Sequence, residues 1–293
     1  MNSRLLSCLV LLCPVLLAAS LPAQEVKKDI EYAKAGDISL RLDLHLPQAA
    51  DAALPLIVYV HGGGWRSGSK SDVPVEGLVD RGFAIASVDY RLSTQARFPA
   101  PVHDIKAAIR FLRAQAATLK IHASRIAIIG SSAGGHLAAL VGVTNGDTAL
   151  EGTVGTHRDQ SSAVQAIVSF YGASNLQTIL SQSTPKGLKM RVPALQDLLG
   201  SQPQDNPALA RQASPVAHVD AGDPPLLLIH GDADPQMPVQ QTEELRRAYE
   251  AAKLPVQCLI LPGSQHGGRE FYDTQRLDAV HRFLRSLPPG DSR

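Results

Sequence analysis

Cysteine is scarce in this 293-residue chain: there are three. Cys8 and Cys13 lie in the amino-terminal stretch, so removing that stretch leaves Cys258 alone. No internal disulfide is then available, and a packed core has to hold the chain together. Charge of one sign is also missing. Lys and Arg total 28 against 27 Asp and Glu, a net charge of +1, with no basic run and no acidic tail. That balance argues against a nucleic-acid or membrane-surface partner. The ten histidines are scattered, and no H-E-x-x-H pair marks a metal on a helix, so neither a metal nor a cofactor is expected. No internal repeat is visible. The apolar run Leu5 to Ala19 is too short to cross a bilayer, which takes about 20 residues.

What is present begins with a leader. Arg4 precedes the apolar run, and Ala18, Ser20 and Ala23 fit a small-residue cleavage site at about 20–23. The expectation is a signal peptide over residues 1–23 and an exported mature chain, periplasmic or secreted, with no stable membrane insertion. An uncleaved anchor is the alternative. With 44% hydrophobic and 19% charged residues, the remainder is ordinary globular sequence, long enough for one large domain over 24–293.

Hydrophobic patterning divides that domain. Ile38 to Leu46 alternates apolar and polar residues, which predicts a half-exposed antiparallel strand with Val26 to Tyr32 as its partner. Leu56–Val60, Phe83–Val88, Ile126–Ile129, Ala163–Phe170, Pro225–His230 and Val256–Leu261 are apolar runs of strand length. Helical patterns separate them at Val73–Asp80, Val102–Leu119, Ala133–Val143, Val239–Lys253 and Arg269–Leu287. Asp104 and Arg110 read as a pair on a helix surface. Residues 173–222 break the rhythm, being rich in Gln, Ser, Pro and Asp with only short helical patterns, and read as a cap-like insertion. Buried strands alternating with amphipathic helices predict an α/β fold with a mostly parallel sheet. In such sheets ligands bind beyond the carboxyl ends of the strands. The unusual stretches all fall there: His61–Gly64, Ser132, Tyr171, Gly231–Asp234 and His266.

Gly130-Ser131-Ser132-Ala133-Gly134 sits between a buried strand and a helix and matches G-x-S-x-G. A turn that tight strains its middle residue and demands tiny neighbours two positions away on each side. It lifts the Ser132 hydroxyl clear of the sheet and sets the Ala133 N–H at a helix amino terminus. A nucleophilic serine needs a base, a group that orients the base, and donors for an oxyanion. His266, in a loop after the last strand, is the candidate base. His281 lies mid-helix, and His136 and His230 read as structural. Asp234 is the preferred orienting acid, with Asp232 the alternative, which can instead bond its own turn. Gly63 and Gly64, with Ala133, are the candidate oxyanion donors. Trp65, Tyr171 and Phe98 are candidates for the pocket wall, with core packing the competing role. Asp89-Tyr90-Arg91 either lines the pocket or forms a structural ion pair.

His61-Gly62-Gly63-Gly64-Trp65, Asp89-Tyr90-Arg91-Leu92, Gly130 to Ala138, Ala213-Ser214-Pro215 and His230 to Asp234, taken in series, resemble the α/β-hydrolase esterases of the bacterial feruloyl- and acetylxylan-esterase-like group, near the hormone-sensitive-lipase-like esterases. The resemblance runs from about residue 40 to 287. It implies the α/β-hydrolase fold, Ser132 as nucleophile, Asp234 as acid, His266 as base, and Gly63, Gly64 and Ala133 as oxyanion donors. Two departures separate the chain from the lipase-like branch: Ser131 stands where those members usually carry Asp, and their amino-terminal helical cap is missing. The expected activity is cofactor-free hydrolysis of small or oligosaccharide esters, acetylated or feruloylated carbohydrate among them. An amidase, formamidase or peptidase-like hydrolase of the same fold, or a non-catalytic binding protein, are the alternatives.

Overall fold

The computed structural model describes residues 24–48 and 52–287. The expected leader and its cleavage site lie outside the described residues. Eight strands form one sheet: β1 (Gln24–Ala35), β2 (Ile38–Pro47), β3 (Leu54–Val60), β4 (Ala84–Val88), β5 (Ile121–Ser131), β6 (Ala166–Phe170), β7 (Leu226–Gly231) and β8 (Val256–Leu261). Their spatial order is β1-β2-β4-β3-β5-β6-β7-β8. β1 pairs antiparallel with β2 and β2 with β4, and every pairing from β4 onward is parallel. The helices are α1 (Ala100–Ala114), α2 (Ala116–Leu119), α3 (Ala133–Gly142), α4 (Thr148–Glu151), α5 (Ile179–Gln182), α6 (Pro185–Leu199), α7 (Pro207–Gln212), α8 (Val239–Ala251) and α9 (Thr274–Arg285).

Side-chain alternation splits the core between the two faces of the sheet. Leu56, Val58 and Val60 of β3, with Ile126 and Ile128 of β5, pack on the side of α1 and α3. Ile57 and Tyr59, with Ala127 and Ile129, pack on the other side, against Leu277, Val280 and Phe283 of α9. Helices on both faces explain why these strands are apolar throughout.

The local differences from the sequence reading have physical causes. Residues 73–80 form only a 3₁₀ turn at Glu76–Leu78; Pro74 and Gly77 leave too few good helix formers for a longer element. β2 is antiparallel, but it is not half-exposed: Leu42 to Leu46 are all buried. The loop after β3 covers its polar face, where Lys70 Nζ lies 2.9 Å from Asp43 Oδ1. The helix expected over 102–119 is two pieces, α1 and α2, separated at Gln115. Asp104 and Arg110 are not a surface pair. Both are buried and face different partners, Asp104 bonding Arg91 at 2.7 Å and Arg110 bonding Glu151 at 2.5 Å.

Between β6 and β7, residues 173–222 carry α5, α6 and α7. α6 is far longer than its composition suggests, and its ends explain it. The Thr184 hydroxyl accepts from Gly187 N at 3.0 Å, Pro185 fills the first turn, and Gly200 closes the helix in the left-handed conformation. Ala194, Leu195, Leu198 and Leu199 give it a buried face, and Pro193 sits on the exposed side.

Candidate active site

Parallel register aligns the strand ends. Val60 pairs with Gly130, Ser131 with Phe170, Phe170 with Ile229, and Gly231 with Leu261. The loops leaving β3, β5, β6, β7 and β8 therefore meet at one edge, around a cleft of about 830 Å³.

Ser132 occupies the sharp turn from β5 into α3 at φ +55° and ψ −117°. A Cβ on Gly130 would run into the Gly134 carbonyl, and one on Gly134 into the carbonyls of Val60 and His61. Backbone cannot yield as a side chain does, so only glycine fits at either position. The Ser132 N–H donates to the Phe170 carbonyl at 2.9 Å, tying the turn to β6.

The turn brings Ser132 Oγ to 2.8 Å from His266 Nε2. His266 Nδ1 lies 2.6 Å from Asp234 Oδ2. Asp234 Oδ1 accepts from the N–H groups of Gln236 and Met237, both at 2.8 Å. Burial alone would raise the Asp234 carboxyl. The hydrogen bonds from His230 and His266, the His266 charge and the Met237 N–H outweigh it and hold the group well below the usual carboxylate range. It is therefore ionised at any working pH, and it fixes the imidazole with Nε2 toward Ser132. Of the two aspartates weighed from the sequence, Asp234 reaches His266. Asp232 accepts from Gly263 N at 2.7 Å and pins the β8 loop.

Gly63 and Gly64 line the cleft beside Ser132, at φ +103° and +61°. His61 fixes their approach by stacking on Tyr90 at 4.4 Å. Ala133 is the first residue of α3, where its N–H has no partner within the helix. Trp65 and Tyr171 both line the cleft, each also anchored below it. Trp65 Nε1 donates to His136 Nδ1 at 3.1 Å, and the Tyr171 ring meets that of His266 at 4.9 Å. Phe98 is buried elsewhere, its N–H bonded to the Leu198 carbonyl. The Asp89 to Arg91 segment serves the scaffold: Asp89 accepts from Lys70 N, Tyr90 Oη donates to the His61 carbonyl, and Arg91 pairs with Asp104. His136, with both ring nitrogens bonded to scaffold groups, is structural.

The sequence reading did not find a line of hydroxyls beside the serine. Tyr59 Oη lies 3.1 Å from Ser131 Oγ, which lies 2.6 Å from Tyr272 Oη, which lies 2.5 Å from Tyr171 Oη. All four side chains border the cleft. The only signal pointing to them is that Ser131 replaces the Asp of the lipase-like branch. The amino-terminal part of α6, which extends the short helical pattern at Ala194–Leu199, forms a wall with Lys189, Met190, Arg191 and Pro193. Among the described residues no cluster of His, Cys, Asp or Glu could hold a metal ion, and no helix is long and apolar enough to cross a membrane.

Comparison with known proteins agrees with this architecture. The BD-FAE family model matches residues 42–249. Esterase LipC of Mycobacterium tuberculosis is 33% identical over 221 residues, which cover 73% of this chain and 53% of LipC. The chain thus spans about half the length of the curated relatives it matches. Among solved structures, a truncated carbohydrate esterase from gut microbiota superposes with a TM-score of 0.80 at 30% identity, covering 91% of this chain and 97% of that one. A thermophilic esterase from Thermogutta terrifontis, Est2, superposes with a TM-score of 0.73 at 28% identity, covering 94% and 96%.

Proposed function

The chain belongs to the BD-FAE family, α/β-hydrolase esterases of the feruloyl- and acetylxylan-esterase-like group, and from that membership we propose that it is a carboxylic ester hydrolase working through an acyl-enzyme on Ser132, and from its amino-terminal sequence that it is exported. The observation that carries the proposal is the unbroken line from Ser132 Oγ through His266 to Asp234, at 2.8 and 2.6 Å, opening on the cleft. His266 Nε2 takes the serine proton as Oγ attacks the ester carbonyl. The same proton passes to the departing alcohol as the C–O bond breaks. Water, deprotonated by His266, then attacks the acyl-serine; the acyl–Oγ bond breaks, His266 returns the proton to Ser132 Oγ, and the acid leaves. The charge on the carbonyl oxygen is met by the N–H groups of Gly63, Gly64 and Ala133, each contributing on the order of 3 kcal/mol to the transition state.

The substrates proposed are acetylated or feruloylated carbohydrate and small short-chain esters. The likeness to a carbohydrate esterase supports the former, and a cleft of about 830 Å³ has room for either. The charged and apolar pattern of residues 1–23 supports export, with removal at about 20–23, and 173–222 is the cap of the domain.

The test is turnover of p-nitrophenyl esters from acetate to octanoate, of acetylated xylan and of methyl ferulate, by wild type and Ser132→Ala. Turnover of short esters, with a loss of about 10⁴-fold or more in the variant, supports the reading. A wild type inert on every ester overturns it.

A further inference from the structure

Arg191 sits in the wall that α6 gives to the cleft and is 7% exposed. A buried guanidinium is normally matched by a carboxylate. Among the described residues none matches Arg191. Nη2 donates to the Gln236 carbonyl, and neither the buried Nε nor Nη1 has a hydrogen-bond partner among the described residues. No described carboxylate is within ion-pair distance. Asp234 is the acid whose charge Arg191 feels, but both its oxygens are taken, Oδ2 by His266 and His230 and Oδ1 by two backbone N–H groups. The other cations on the cleft differ. Arg66 is answered by Asp197 at 2.8 Å, and Lys189 is exposed at the rim. Asp72, the acid on the cleft wall, makes no ion pair with Arg191 and sits in the loop after β3, whereas Arg191 is on α6. Burial pushes the guanidinium down to about 10, partly offset by Asp234, so it stays cationic at neutral pH.

Resting on the proposed ester hydrolysis, we infer that Arg191 binds a carboxylate carried by the substrate, so that the preferred esters are anionic. A planar carboxylate suits a guanidinium with donors to spare, and excluding water from the pair strengthens it. The carboxylate can belong to the acyl part, as in a half-ester of a dicarboxylic acid, or to the alcohol part, as in an acylated uronic acid. The chemistry at Arg191 is the same.

Two substrate pairs separate these sources: p-nitrophenyl hydrogen glutarate against p-nitrophenyl valerate, and O-acetylglucuronic acid against O-acetylglucose. In wild type, kcat/KM for the anionic member of one pair exceeds that of its neutral partner by about tenfold or more, or about 1.4 kcal/mol. In Arg191→Gln that ratio falls to about one, and Arg191→Lys retains part of it. Because each ratio is internal to one protein, partial misfolding does not mimic the result. A wild-type preference for the neutral ester in both pairs overturns the inference. So does a ratio unchanged in Arg191→Gln, which would move the anion to Lys189. Calorimetry of glutarate and glucuronate with Ser132→Ala, and with Ser132→Ala carrying Arg191→Gln, decides the matter without turnover. Binding of either anion that is lost with Arg191 supports the site even if no ester is hydrolysed, and no binding of either anion overturns it.

Discussion

His230 and His266 share one oxygen of Asp234: Oδ2 lies 2.6 Å from His266 Nδ1 and 3.3 Å from His230 Nε2. His230, next to last in β7, is fully buried, with Nδ1 2.7 Å from Thr242 Oγ1 and Nε2 3.0 Å from the Met237 carbonyl. Its Nε2–H thus braces the loop that presents the acid and also touches the acid itself. The structural role expected of His230 is correct but incomplete, since the group it supports is the one that orients His266.

Replacing His230 tests that link. In His230→Asn, whose shorter amide reaches the position of Nδ1 and not that of Nε2, the carboxylate loses one donor and becomes more basic, so it stabilises the His266 imidazolium more strongly. The acid limb of the kcat/KM pH profile moves to higher pH, and kcat falls about tenfold, or about 1.4 kcal/mol. A residue that only packed would lower stability and leave the limb in place. An unshifted profile removes His230 from the acid's support.

Tyr272 joins Ser131 to Tyr171, whose ring backs His266. Tyr272→Phe leaves the Tyr171 and Ser131 hydroxyls short of a partner, a cost of about 1–3 kcal/mol. The expected result is a melting temperature lower by a few degrees and a several-fold loss of kcat. Thermal denaturation and ester kinetics on the same preparation check it, and an unchanged kcat would confine the hydroxyl line to packing.

Gly134→Ala probes the turn. The added methyl meets the carbonyls of Val60 and His61, both backbone of the central strand β3 or its end. Overpacking of this kind costs about 1–3 kcal/mol, or roughly 3–10 °C at this chain length. Ser132→Ala keeps the same backbone and melts close to wild type. Equal melting of the two variants would show that the turn can relax.

Much of this was legible in the sequence, for reasons that differ by residue. The strands of the parallel sheet read well because burial on both faces leaves an apolar run with no ambiguity of register. Ser132 read well because its turn is local: Gly130 and Gly134 are forced by contacts within a few residues and by the adjoining strand. β2 misled because its polar face is covered by Lys70, more than twenty residues away in sequence. The hydroxyl line escaped because Tyr59, Ser131 and Tyr272 come from three separate elements, and no periodicity links them. Arg191 escaped because only Ala194 to Leu199 reads as helical, while the half of α6 that carries Arg191 is set by its amino-terminal signals, Thr184 and Pro185.

Asp223 ties stability to pH. It is buried in the turn before β7, where Oδ2 accepts from Asp220 N at 2.9 Å. Burial, with the neighbouring Asp220 charge adding to it and the Asp220 N–H opposing, pushes its carboxyl up to about 7. Tyr249 packs nearby, its hydroxyl donating to the Pro224 carbonyl and its own ionisation pushed up by burial and by both aspartates. In the unfolded chain Asp223 titrates near the ordinary value of about 4. Between about pH 4 and 7 the native state therefore binds more protons than the unfolded state, and stability falls as pH rises through that window. Asp223→Asn keeps an acceptor for Asp220 N and never ionises. It is expected to match wild type near pH 4.5 and to gain on the order of 1–2 kcal/mol by pH 8, a rise of roughly 3–8 °C in melting temperature. Urea denaturation at the two pH values checks it. An equal gain at both would assign the effect to packing, because only a titrating carboxylate makes the benefit grow with pH.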